Sequence, residues 1–206
     1  RLTLGAESLD SPGFDLLALF TGSEGLLGVV VEVAVKLLPK PQSTKMLMAS
    51  FDDVEAAGNA VGQIIGAGII PGGLEMMDSL AIRAAEDFIH AGYPVDAAAI
   101  LLCELDGAAG DVDEDMESVS TLLSHAGATR ILIARDETER LRLWAGRKNA
   151  FPAVGRISPD YYCIDGTIPR RELPRVLNGI TAFSAEHGLR VANVFHAGDG
   201  NLHPLI

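Results

Sequence analysis

The fold turns on Val191-Ala192-Asn193-Val194-Phe195-His196-Ala197-Gly198-Asp199-Gly200-Asn201-Leu202-His203. Residues 191–195, apolar except for Asn193, predict a buried strand. Asp199-Gly200 between apolar segments is a strong hairpin signal, because both residue types tolerate positive φ in a type I′ turn. With Asp199 and Gly200 as a two-residue turn, Gly198 pairs with Asn201, Ala197 with Leu202 and His196 with His203. Directly opposed residues share one face, with Cβ atoms roughly 4.5–5.5 Å apart. Two imidazoles so placed can converge on one divalent metal. A slip of one residue would send them to opposite faces. The same stretch also reads as two histidines near a surface turn with no ligand. Zinc takes at least three protein ligands, so a third must come from elsewhere.

Upstream, strands and helices alternate. A strand is predicted over residues 45–51 and a helix over 52–67, with Asp52 as N-cap and Gly68 just past the end. Strands follow at 74–77, 97–105, 130–134 and 161–168. Helices follow at 79–89, at 111–126 with an acidic first turn that suits the helix dipole, and from the cap Asp136 to about residue 150. A last helix runs from Pro169-Arg170 to His187 and ends at Gly188. Strands that return side by side predict an α+β fold, a largely antiparallel sheet with helices on one face, built from ferredoxin-like βαβ units.

Residues 1–40 have a different texture. The glycines of Thr21-Gly22-Ser23-Glu24-Gly25-Leu26-Leu27-Gly28 let backbone amides approach a ligand and attract phosphate, or they simply make a turn. Residues 29–38 are rich in β-branched side chains and predict a strand. Pro39-Lys40-Pro41 reads as a linker.

The 206 residues suffice for one or two domains with a real core, and 48% of them are hydrophobic. A formal net charge of -12 argues against nucleic acid as a partner, which would need a basic face. Cys103 and Cys163 sit in apolar runs without metal spacing and read as free core thiols in a reducing compartment. No apolar run reaches the ~18 residues of a membrane span. The chain opens without Met and is expected to be an excised piece.

Arg147, in Trp144-Ala145-Gly146-Arg147-Lys148, offers a planar fork for a carboxylate, or is a solvated basic helix end. Arg156 reads as part of a Gly-Arg loop. Glu75 and Asp165 would be unusual if buried and ordinary if exposed. Glu24 is expected to orient the glycine turn, and His90, His125 and His187 read as surface residues.

Taken together these motifs resemble a family. They are the glycine stretch 22–28 followed by Lys36-Leu37-Leu38-Pro39-Lys40-Pro41, then Trp144-Ala145-Gly146-Arg147-Lys148-Asn149-Ala150-Phe151-Pro152, residues 158–169 and the terminal His-Ala-Gly-Asp-Gly-Asn-Leu-His. They are similar to those of the FAD-linked 2-hydroxyacid oxidases and dehydrogenases, flavoproteins of the vanillyl-alcohol-oxidase type. That group includes the FAD-containing large subunits of bacterial glycolate oxidases and the D-lactate and D-2-hydroxyglutarate dehydrogenases.

The resemblance implies an enzyme that oxidises glycolate or D-lactate to the 2-oxoacid, with electrons passing to FAD. It implies that residues 1–40 end a FAD-binding domain, with Gly22, Ser23, Gly25 and Gly28 on the cofactor. Residues 41–206 then form a substrate, or cap, domain truncated at its C-terminal end. It implies a divalent ion, zinc or manganese, on His196 and His203, with a glutamate from a later Glu-His-Gly segment as third ligand. Arg147 takes the catalytic role of holding the substrate carboxylate. Phe151 and Cys163 fall near positions that bind a second carboxylate in dicarboxylate-specific relatives, which suits a small monocarboxylate. The implied partners are subunits that include an iron–sulfur protein, in a cytoplasmic enzyme associated with the inner membrane through the complex. The resemblance puts the first half of the flavin domain before this sequence and the ligand-bearing Glu-His-Gly segment after it, distinct from Glu186-His187-Gly188, so the chain alone is expected not to retain FAD or turn over. The alternative from a different class is a non-catalytic ligand-binding or assembly module of the same α+β fold, homodimerising through exposed apolar surface.

Overall fold

A computed structural model describes residues 1–6 and 13–206. Contacts divide the chain into two units, Arg1–Lys40 and Pro41–Ile206. In the first unit, helix α1 (Leu16–Phe20) is capped by Asp15, whose carboxylate accepts from the Ala18 amide. The strand predicted over residues 29–38 does not form. Those residues pair with no strand among the described residues, and Val29, Val31, Val35 and Leu38 stay exposed. β-branched residues favour a strand only where a neighbour takes up the backbone groups and packs the side chains.

The second unit is built on strands β1 (Ser43–Phe51), β2 (Gly73–Asp78), β3 (Ala99–Gly107) and β4 (Arg130–Ile133). Two short strands, β6 (Ala192–Phe195) and β8 (Pro204–Leu205), complete a six-stranded sheet of order β4-β1-β3-β2-β6-β8. Every pairing in it is antiparallel. Helix α2 (Val54–Gly66) links β1 to β2 across β3, and helix α4 (Ala109–His125) links β3 to β4 across β1. These are the two expected split βαβ units. Helix α3 (Ser79–Ile89) lies between β2 and β3 in the chain, and β5 (Gly166–Thr167) pairs with β7 (Asn201–Leu202) in a small separate ladder.

The helices cover both faces of the sheet, not one. Leu47, Ala49 and Phe51 pack against α2, α4 and α7 (Leu173–His187), through Ala60, Ile64, Val119 and Leu177. Met46 and Met48 face the other way, with Ile82 of α3, Leu143 of α5 (Glu137–Lys148) and Ala153 of α6 (Ala150–Ile157). The cause is legible in the strands. Met46-Leu47-Met48-Ala49 and Ile100-Leu101-Leu102-Cys103 are continuously apolar, which suits burial on two sides. A fully buried side chain such as Phe51 contributes about 1.5–3 kcal/mol.

Local details differ from the sequence reading. Asp53, not Asp52, caps α2, accepting from the Glu55 and Ala56 amides. The helix capped by Asp136 stops at Lys148 and α6 starts at Ala150, so Arg156 stands on a helix and not in a loop. Pro152 is tolerated there because it falls in the first turn of the new helix. Cys163 is exposed instead of core, since the strand expected over 161–168 shrinks to β5 and one bridge from Cys163 to Leu205. Asp78 caps α3 through the Leu80 and Ala81 amides and accepts from Asn193 on β6, tying the added strand to the sheet.

Candidate functional site

The site lies where β2 pairs with β6. The terminal turn is longer than its sequence suggests. The His196 amide donates to the Asn201 carbonyl at 3.0 Å and the Asn201 amide donates back at 3.2 Å, so His196 pairs with Asn201 and residues 197–200 form the loop. Direct pairing of His196 with His203 is therefore corrected. The register moves by two residues, which preserves the face on which each side chain lies. His203 becomes a diagonal neighbour within reach of a ring. The imidazoles of His196 and His203 meet edge to face, with centroids 5.2 Å apart and planes at 87°.

Tertiary contacts set the longer loop. The Gly198 amide donates to the Leu74 carbonyl on β2 at 3.0 Å, and Arg170 Nη1 donates to the Gly198 carbonyl at 2.8 Å. The Ile168 amide donates to the Gly200 carbonyl at 2.9 Å. Gly200 has φ +71°, and a Cβ there would stand 2.3 Å from the Ile168 carbonyl oxygen.

Glu75, in the middle of β2, joins the cluster together. Its side chain is buried, with the residue 8% exposed. Arg147 Nε donates to Glu75 Oε2 at 2.9 Å, and the other oxygen, Oε1, lies 2.9 Å from His196 Nδ1. Arg147 Nη2 is also 2.8 Å from Oε2 but makes no hydrogen bond of good geometry. Arg147 comes from the last turn of α5, where the helix dipole favours a cation, and is 7% exposed. It is thus neither a free fork nor a solvated helix end, but a buried guanidinium paired with a carboxylate. Its helix sits close because Gly146 has no side chain: a Cβ there would fall 2.4 Å from the Tyr93 ring. The Tyr93 hydroxyl donates to the Leu143 carbonyl, and burial pushes its pKa up.

His203 is largely enclosed, with Phe151 edge-on at 6.0 Å between centroids. Asp165 Oδ1 lies 3.7 Å from His203 Nδ1 and is itself exposed. Burial holds the His203 pKa below its ordinary value. Asp165 and Glu75 pull it upward, while His196 and Arg147 push it down. His90, His125 and His187 are exposed, as expected. Among the described residues, no group of three or more His, Cys, Asp or Glu side chains is arranged to hold a metal ion.

Two carboxylates set in apolar strands are not among the site residues expected from the sequence. Glu75 stands inside Leu74-Glu75-Met76-Met77, and Glu104 inside Cys103-Glu104-Leu105. Glu104 accepts from the Trp144 indole and from Arg140. An acidic residue interrupting a wholly apolar strand was the available signal, since such a group is buried only with partners.

In the first unit, Gly22 and Gly25 have φ +79° and +82°, and nothing lies within 4 Å of where a Cβ would stand at either. The Ser23 amide donates to the Phe20 carbonyl at 3.2 Å. Gly28 differs, because a Cβ there would meet the Phe20 ring at 2.9 Å.

Residues 40–206 match the family described as FAD linked oxidases, C-terminal domain. The chain is 74% identical over 205 residues to the glycolate oxidase subunit GlcD of Escherichia coli (strain K12), covering 100% of this chain and 41% of that protein. It is 39% identical over 202 residues to the subunit of the same name from Bacillus subtilis (strain 168), covering 98% and 43%. It is 30% identical over 196 residues to a probable mitochondrial D-lactate dehydrogenase of Danio rerio, covering 94% and 39%. The chain thus spans about two fifths of the length of these relatives. Among solved structures it is similar to an alkyldihydroxyacetonephosphate synthase, with TM-score 0.66, 18% identity, and coverage of 94% of this chain and 41% of that one. It is also similar to 4-ethylphenol oxidase from Gulosibacter chungangensis, with TM-score 0.59, 15% identity, and coverage of 82% and 40%. These two likenesses show the fold.

Proposed function

The chain belongs to the FAD linked oxidases, C-terminal domain family, and from that premise we propose that it is the substrate-side part of a flavin-dependent 2-hydroxyacid oxidoreductase. Glycolate, or D-lactate, is the substrate and the 2-oxoacid the product. The observation that carries this reading is the cluster in which buried Arg147 and Glu75 meet the half-buried His196, with the His203 ring beside it. It joins a guanidinium suited to a carboxylate with imidazoles suited to a hydroxyl, the two groups of a 2-hydroxyacid.

Arg147 binds the substrate carboxylate through guanidinium donors that Glu75 does not use. His196, with Nδ1 engaged by Glu75, keeps Nε2 for the proton of the 2-hydroxyl. Phe151, beside His203, gives the site an apolar wall and favours a small acid without a second charge. When bound, FAD supplies the hydride acceptor. The open backbone at Gly22 and Gly25 fits a cofactor that approaches amides closely, and supports Gly22, Ser23 and Gly25 as its contacts. Gly28 has a packing reason of its own against Phe20, and its place on the cofactor rests on the motif.

A divalent zinc or manganese ion is a separate matter. His196 and His203 offer two imidazoles, and no third ligand joins them among the described residues. An ion there needs a further donor from outside the described residues, and the roles given to Arg147 and His196 do not depend on one. Companion subunits, an iron–sulfur protein among them, carry the electrons onward in this proposal, from a cytoplasmic enzyme joined to the inner membrane through the complex.

The test is anaerobic flavin bleaching in the full-length protein. Glycolate or D-lactate should reduce the flavin and L-lactate should not. A flavin that stays oxidised with all three would dispose of the proposal.

A further inference from the structure

We infer that Glu75 is a positioning residue of this site: one buried carboxylate sets the Arg147 guanidinium and the His196 ring together. This rests on the functional reading above, in which both groups face the substrate.

The argument from burial comes first. An ionised carboxylate in an apolar strand is costly unless it is paired and hydrogen-bonded. Glu75 has its partners on two other elements, Arg147 from α5 through Oε2 and His196 from the end of β6 through Oε1. Where stability alone is at stake, a buried ion pair is often no better than apolar side chains of the same volume. β2 is otherwise apolar at Leu74, Met76 and Met77, so an apolar residue at 75 would have continued the pattern.

The second observation concerns what Glu75 leaves over. It does not satisfy the guanidinium completely: Arg147 Nη2 is buried, makes no hydrogen bond, and lies 2.8 Å from Oε2 out of line. A donor held in that condition suits a visiting carboxylate. On the imidazole the division is by nitrogen. A carboxylate beside Nδ1 favours the proton on that atom and leaves Nε2 as the working nitrogen. The same carboxylate therefore prepares a donor for one end of a 2-hydroxyacid and an acceptor for the other.

Glu75→Gln is the informative variant. Glutamine has one acceptor oxygen and one amide nitrogen, so it cannot offer a separate acceptor atom to each of Arg147 and His196, as Oε2 and Oε1 of Glu75 do. In full-length, flavin-loaded protein with ¹⁵N-labelled histidine, the His196 resonance (assigned with His196→Gln) should show the proton on Nδ1 in the wild type. It should shift toward the Nε2–H form in Glu75→Gln. KM for glycolate should rise at least about tenfold in the same variant, with a smaller change in kcat, because carboxylate binding loses its oriented partner. Should Glu75→Gln not fold, Glu75→Asp retains the charge but is too short to span both partners, and the same two measurements apply. An unchanged His196 tautomer, or an unchanged KM, in the folded variant overturns the inference. The NMR arm needs no turnover, so a wild type inert toward every hydroxyacid would sink the proposed function and still leave Glu75 to be judged on its own.

Discussion

The rings of His196 and His203 lie 5.2 Å apart and edge to face, although the backbone pairs His196 with Asn201. Both facts follow from the parity of a β ladder: a turn lengthened by two residues moves the partner along the strand without changing its face. What the longer turn requires is a glycine at its end. The Gly200→Ala variant puts a Cβ at φ +71° and 2.3 Å from the Ile168 carbonyl. It should lose about 1–3 kcal/mol of stability, the usual cost of local backbone strain. Urea unfolding measures this, and a variant as stable as the wild type would contradict the loop geometry.

Gly146 makes a parallel case on the other side of the site. An added methyl would overlap the Tyr93 ring at 2.4 Å and disturb the last turn of α5, which carries Arg147. Gly146→Ala should cost about 1–3 kcal/mol, as overpacking does. Thermal unfolding gives the stability change. A second substitution, Tyr93→Leu, should recover part of the loss, and no recovery would show that the clash lies elsewhere.

The acid response of His203 has a definite sign. Burial keeps its pKa in the folded chain below the ordinary 6.5. The unfolded chain therefore takes up the proton first as pH falls. The stability His203 contributes is whole above 6.5 and is lost as pH drops from there through the folded value. Asp165 pulls that value upward, so Asp165→Asn should move the His203 NMR titration midpoint further down. A midpoint that rises or stays put would remove Asp165 from the site.

Asp78 behaves in the opposite sense. Burial outweighs its hydrogen bonds from Ala81, Asn193 and Leu80 and raises its pKa above 3.8. Its contribution is fully present below 3.8 and is lost as pH rises through the higher folded value. Asp78→Asn should flatten this part of the pH–stability curve; asparagine still caps α3 through one oxygen, so the cost of about 1–3 kcal/mol comes from the Asn193 backbone and side-chain donors that lose Oδ2. Urea unfolding from about pH 3 to pH 7 tests it, and parallel curves for the two proteins would argue against the burial of a charge there.

Much of the fold was legible because it is local. Asp136 and Gly188 end their helices as their residue types dictate, and Ser79–Ile89 is a helix over the span its periodicity predicts. That both faces of the sheet are covered, not the one expected, follows from the unbroken apolar strands, in which Met46 and Leu47 point opposite ways; which helix takes which side does not. What could not be read depends on distant partners. Val29 and its neighbours have strand propensity, but propensity supplies no pairing strand. The length of the final loop is fixed by Leu74, Ile168 and Arg170, none of them adjacent in sequence. The pairing of Glu75 with Arg147 spans 72 positions. Arg147 and the two histidines were visible as motifs, whereas the carboxylate between Arg147 and His196 was visible only as an oddity in an apolar strand.

The central claim is that Arg147, held by Glu75 beside His196, receives the carboxylate of a 2-hydroxyacid. Stopped-flow reduction of the flavin by glycolate, in full-length wild type and in Arg147→Lys and Arg147→Ala, tests it most directly. Loss of a charged hydrogen-bonding partner worth about 1.5–3 kcal/mol predicts a fall of roughly ten- to a hundredfold in the apparent second-order rate constant. Arg147→Lys should fall between the wild type and Arg147→Ala, with the oxidised flavin spectrum intact in both variants. Reduction at the wild-type rate in folded Arg147→Ala would place the carboxylate elsewhere.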